Sequence, residues 1–148
     1  MPFLDIVTVV CVGLLTGTEF TVSVFINPVL QKLEEGAQAR AISLFAARLG
    51  RAMPFWYASS LLLLILEATI RRRERGLVLI IAAAVIWAAV ILLTVLFLMP
   101  INNRMMRLDS GSFPEGARRE HERWNRLHSL RVMVLVVALV CFLLAILR

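Results

Sequence analysis

Histidine is nearly absent from this chain of 148 residues: there are two, His121 and His128. They stand seven residues apart, on one helix, which makes a poor haem site because both project from the same element. The Glu-x-x-His pair of di-iron bundles is missing as well. Cysteine is equally scarce, at two. Cys11 and Cys141 both fall within apolar runs, where a thiol usually acts as a small apolar filler. The first apolar run lacks a basic stretch before it, carries Asp5 instead and shows no small-residue cleavage pattern, so it reads as a permanent span rather than a signal peptide. No internal repeat, low-complexity tract or nucleic-acid motif is present, so the net charge of +6 gives no reason to expect a nucleic-acid partner.

Apolar residues are what the chain has in excess: 60% of the total, with a mean hydropathy of +0.84. They lie in blocks, Phe3–Phe25, Phe55–Ile70, Leu77–Met99 and Val132–Leu147. A helix of roughly 20 residues crosses a hydrocarbon core of about 30 Å. The first and third blocks are long enough, and amphipathic flanks extend the other two. The reading is a single all-α membrane domain over 1–148, a transmembrane four-helix bundle with spans at about 3–26, 54–70, 77–99 and 127–147. Both termini then share a side with the short link RRRERG, 71–76. Dense arginine in a short link is typical of a cytoplasmic turn and places the termini there, whereas the larger total of basic residues on the two longer connections points the other way. The first signal is followed, because functional arginines would inflate the second count. The basic flanks are suited to contact with anionic membrane lipids.

The first connecting loop is not plain linker. Ile42, Phe45, Ala46, Leu49 and Met53 share one helical face, and Arg40, Ser43, Arg48 and Arg51 the other. That pattern predicts an amphipathic helix on the membrane surface or capping the bundle mouth, with Pro54 bending the chain into the second span. Turn signals fill DSGSFPEG, 109–116, before a polar helix that runs on into the fourth span. Gly13 and Gly17 form a GxxxG step, and Ala84 and Ala88 a small-xxx-small step. Packing within the bundle is the first expectation for them, and a homo-oligomer through Gly13/Gly17 the second.

Polar residues within the apolar blocks converge on one end. Thr16, Glu19, Ser23 and Asn27 recur at helical spacing on the first span. Glu19 lies on the order of 12 Å inside its end, a depth at which a carboxylate must be paired, protonated or wetted. The third span reaches Pro100-Ile101-Asn102-Asn103, where proline is expected to stop the helix and the asparagines to cap it or face inward. Trp124, His128 and Arg131 share a face at the start of the fourth span, at the expected height of Asn102. With Tyr57 they would give a pocket with a polar floor and apolar walls, the usual character of a small-molecule site.

Taken together, the early Gly-x-x-x-Gly, the polar face ending in Asn-Pro, the Pro-Ile-Asn-Asn end of the third span and Trp-x-x-x-His-x-x-Arg resemble the anthrone oxygenase-like family. These are small four-span membrane proteins, in most bacterial members a domain of unknown function. The resemblance implies a bacterial inner (plasma) membrane protein. It further implies oxidation of a hydrophobic aromatic or quinone-like molecule by dioxygen, without a cofactor. On that reading His128 is the base, Arg131 and Asn102 are donors to an enolate oxygen, and Trp124 and Tyr57 stack on a planar ring. Glu19, Ser23, Asn27 and Asn103 complete the substrate pocket. A mononuclear metal held by Glu19 and His128 is the alternative to a cofactor-free site. A non-enzymatic small-molecule or lipid-binding protein, or an accessory subunit of a membrane complex, is the alternative function. A transporter fits less well, since inverted repeats and broken helices are missing.

Overall fold

The computed structural model describes residues 2–108 and 113–147. The turn signals at 109–112 lie outside the described residues. Among the described residues there is no strand, and four helices are long and apolar enough to cross a membrane: α1 (Pro2–Leu30), α2 (Glu35–Ile70), α3 (Leu77–Met105) and α4 (Glu115–Ile146). The chain is an integral membrane helical bundle. Sequential helices run antiparallel. α1 packs between α2 and α4, and so does α3, which closes a ring in chain order. Leu15, Leu64, Ile80, Trp87, Leu135 and Phe142 fill the centre. The outer faces expose residues such as Leu62, Val78, Phe97 and Val137, as a lipid-facing surface should.

Proline shapes these helices without ending them. Pro100 was the expected stop of α3 and Pro28 lies just past the expected first span of about 3–26, yet α1 runs on to Leu30 and α3 to Met105. Each proline follows a π-turn, Val22–Ile26 in α1 and Thr94–Leu98 in α3. Proline lacks an N–H, and its ring crowds the carbonyl four residues back. Those carbonyls, of Val24 and Leu96, sit inside the widened turns. There the N–H groups of Asn27 and Met99 reach back five residues, to Val22 and Thr94. Asn102 and Asn103 are therefore helical residues, not caps.

Pro54 likewise lies inside a continuous helix of 36 residues rather than at a break between two. The amphipathic segment and the second span are one rod. Its apolar face caps the bundle at the mouth, the end where α1 and α3 finish and α2 and α4 begin. Ala39, Ile42 and Ala46 pack there against Leu30, Ile101, Met105 and Phe113.

The opposite, closed end carries more polarity than the sequence suggested. Arg71 donates to Asp5 at 2.7 Å, to Glu67 at 3.2 Å and to Glu74 at 2.6 Å, and Thr8 donates to Glu67 at 3.2 Å. Burial opposes the charge on Arg71, but the hydrogen bonds to Asp5, Glu74 and Glu67 prevail and hold its pKa above the usual arginine value.

The GxxxG step does not act within the bundle, while a glycine at the closed end does. A Cβ added at Gly13 or Gly17 meets nothing within 4 Å, so these glycines do not mediate packing inside the bundle. A Cβ at Gly76 would stand 2.5 Å from the Ala145 carbonyl oxygen and 3.1 Å from its carbon. Backbone on both sides cannot swing away. Gly76→Ala should therefore destabilise the bundle by about 1–3 kcal/mol, the usual range for overpacking. A lower unfolding midpoint in detergent would register it. Cys11 and Cys141 are free thiols, and Cys11 Sγ lies 3.4 Å from Ser60 Oγ.

Candidate functional site

A cavity of about 290 Å³ occupies the mouth half of the bundle. That is near the lower bound for small-molecule pockets. All the apolar residues of the amphipathic face of α2, Ile42, Phe45, Ala46, Leu49 and Met53, line it. Its floor is a polar group drawn from every helix.

Glu19 of α1 is 3% exposed and is held from two sides. Tyr57 Oη of α2 donates to its Oε1 at 2.9 Å, and Arg131 Nη2 of α4 to its Oε2 at 2.5 Å. Arg131 Nη1 donates to Thr94 Oγ1 of α3 at 3.2 Å, while Thr94 passes its own hydrogen to the Val90 carbonyl at 2.8 Å. The Arg131 guanidinium also lies over the Tyr57 ring, 5.6 Å from its centroid, a cation–π contact. The buried carboxylate is therefore paired and hydrogen-bonded, which is what permits a charge at this depth.

His128, 1% exposed, completes the floor. Its Nε2 lies 3.2 Å from the Glu19 carbonyl oxygen and its Nδ1 2.9 Å from Arg131 Nη2. A carbonyl only accepts and a guanidinium only donates. The hydrogen-bond geometry thus assigns hydrogen to Nε2 and the lone pair to Nδ1, a neutral imidazole. Glu19 Oε2 is 3.3 Å from that same Nδ1.

Two features of the main chain bring these groups together. The unbroken α4 aligns His121, Trp124, His128 and Arg131. The π-turn in α1 corrects a drift: on a plain α-helix each four-residue step rotates a side chain by roughly 40°. Ser23 is carried by that step to the α1–α4 seam, where its Oγ lies 3.0 Å from Ser129 Oγ, and it is not among the cavity's lining residues. The wider π-turn holds more residues and winds back, returning the buried Asn27 to the cavity.

The other expected residues are also placed. Asn102 lines the cavity but donates its amide to the Ala46 carbonyl at 3.3 Å, tying α3 to α2. Asn103 lies at the exposed edge. Arg131 meets Thr94 rather than Asn102, about 12 Å deeper along α3 than the sequence placed it. Trp124 lines the cavity and stacks on His128, with ring centroids 4.5 Å apart and planes 10° apart, while His121 lies 6.0 Å away with planes 6° apart.

Thr94 and Gly50 are lining residues that sequence reasoning passed over, and His121, on the face expected for Trp124, His128 and Arg131, lines the cavity as well. Thr94 had a readable signal, as a lone hydroxyl within the Leu77–Met99 block. Among the described residues no group of three or more His, Cys, Asp or Glu side chains is placed to hold a metal ion. The Glu19/His128 pair considered for one is shared by a guanidinium instead.

The fold and the cavity define the class: a small integral membrane four-helix bundle with a polar-floored chamber at one end. Residues 42–141 match the family model described as Anthrone oxygenase, and the chain belongs to that family. The match takes in Tyr57, Thr94, His128 and Arg131, while Glu19 precedes it. No curated protein and no solved structure matches the chain.

Proposed function

We propose that this protein oxidises a hydrophobic aromatic molecule of the anthrone kind to a quinone with dioxygen, in the mouth cavity and without a cofactor. The observation that carries the reading is the pairing of a neutral His128, its unprotonated Nδ1 beside Arg131 and Glu19, with an apolar chamber. An anthrone has an acidic CH₂ across the ring from a carbonyl. His128 Nδ1 takes one proton from it, and the resulting imidazolium is stabilised by the Glu19 carboxylate. Arg131 exchanges its bond to Nδ1 for one to the enolate oxygen. The enolate carbon gives its electrons to dioxygen, a C–O bond forms, and the imidazolium returns the proton to give a hydroperoxide. Loss of the second C–H proton with cleavage of the O–O bond releases water and leaves a carbonyl. The balance is CH₂ + O₂ → C=O + H₂O.

Asn27 serves as a polar contact inside the cavity and Asn103 as one at its rim. Asn102 acts through its tie to α2, and Ser23 through the α1–α4 seam. The site does not suit a mononuclear metal, because the Arg131 cation is bonded to Glu19. The protein is assigned to the bacterial plasma membrane with cytoplasmic termini.

The test is oxygen uptake by protein reconstituted in lipid with anthrone as substrate, followed by the absorbance of anthraquinone. One quinone per dioxygen consumed, at a rate proportional to protein, is expected. The second reading is a non-enzymatic carrier or accessory subunit. It is favoured by the fact that both Glu19 oxygens and both His128 nitrogens already have partners. It predicts saturable anthrone binding with oxygen uptake no faster than in empty vesicles.

A further inference from the structure

The cavity sits at the mouth of the bundle, yet its mouth is shut. Leu30, Ile42, Ile101, Met105 and Phe113 pack across it as a buried apolar plug. Above the cavity α2 and α3 are laced together by Asn102 to the Ala46 carbonyl at 3.3 Å and Ser43 to the Met106 carbonyl at 3.0 Å. Gly50 permits the first of these ties, since a Cβ there would stand 2.9 Å from Asn102 Nδ2.

The exposed part of the lining is elsewhere. Every lining residue contributed by α1 and α4 is buried or half-buried, and the exposed ones all belong to α2, to α3 or to Met106 just beyond it. On α2 they include Gly50, Pro54 and Ala58, one helical stripe of small side chains. On α3 they include Val95, Met99 and Asn103, at the same spacing. The helices are antiparallel neighbours, so Gly50 faces the level of Asn103 and Ala58 that of Val95. Both helices are also irregular along this seam. Pro54 leaves the Gly50 carbonyl without its intrahelical donor, and the π-turn Thr94–Leu98 widens α3 opposite it. Ala58 and Val95 lie inside the apolar blocks, about 4.5–6 Å below their edges.

We infer that the cavity is loaded sideways from the bilayer, through a slit between α2 and α3, by a lipophilic aromatic molecule dissolved in the leaflet. Arg51 and Asn103 flank the slit at headgroup level, so a polar end of the molecule has partners there while its apolar body passes between Ala58 and Val95. The route shares its cavity with the proposed oxidation but does not depend on it.

The experiment plugs the slit reversibly. Ala58→Cys is placed in a Cys11→Ala/Cys141→Ala background, reconstituted in vesicles, and modified with benzyl methanethiosulfonate. A lipid-dissolved aryl diazirine is then photolysed, and its adducts are located by mass spectrometry. Before modification the buried Tyr57 and the half-buried Trp124 should carry adducts. Benzylation should lower these at least ten-fold, and dithiothreitol should restore them in the same protein, while labelling of lipid-facing Leu62 stays constant. Benzylation of Val78→Cys, at the far end of α3, should change nothing. A sulfonated, water-soluble aryl diazirine should leave Tyr57 and Trp124 unlabelled. Interior labelling that survives benzylation, or that is equally strong with the sulfonated reagent, would overturn lateral loading. Slit-dependent labelling with no anthrone oxidation would leave the route standing and remove the enzymatic reading.

Discussion

Arg131→Leu should cost more stability than any other single substitution at the mouth end, and adding Glu19→Leu should restore most of the loss. Glu19 is buried within a membrane helix and depends on Arg131 Nη2 at 2.5 Å for its countercharge. With the guanidinium gone, Tyr57 still donates one hydrogen bond, but the charge stands alone. Removing one partner of a buried ion pair typically costs about 3–5 kcal/mol, whereas replacing both by apolar groups of similar size is often neutral or stabilising. The measurement is the unfolding midpoint of each purified variant in detergent, arranged as a double-mutant cycle. A double variant as unstable as Arg131→Leu alone would show that the pair is not what stabilises this end. The double variant also separates stability from function, because it should fold yet oxidise no anthrone.

Anthrone oxidation should fall about 10²–10⁴-fold in His128→Ala, the range general-base catalysis usually supplies. The substitution also removes a ring stacked on Trp124 and a hydrogen bond to the Glu19 carbonyl, so a rate loss alone would not identify a base. Added imidazole distinguishes the roles. It can occupy the vacated space and accept the proton, so a base role predicts partial recovery of rate that rises with imidazole concentration. Trp124→Ala, which disturbs the same stack without removing the base, should show no such recovery. Equal rescue in both variants, or rescue in neither, would assign His128 to packing.

Membrane insertion, four spans and the polar end of the bundle were all legible in the sequence, because hydrophobic block length and helical spacing are local properties. Glu19, His128 and Arg131 stood out for the same reason: polar groups within or beside membrane helices require an explanation. The apolar face of the amphipathic segment was equally readable, and it is the face that lines the cavity.

What the sequence left open depends on how the chain responds to proline and on which side chains meet across helices. Pro28, Pro54 and Pro100 looked like boundaries. Tertiary packing kept the helices running through them, two with a π-turn to absorb the ring, and so decided that Asn27 faces the cavity while Ser23 does not. The same packing drew Arg131 down to Thr94, set both imidazole rings beside Trp124, and closed the mouth while leaving cavity-lining residues of α2 and α3 exposed. Sequence by itself determined which residues share a face, since that follows from the helical repeat. Only the tertiary structure decided which faces meet, at what depth and with which partners, because a buried charge can persist only where another helix supplies its counterpart.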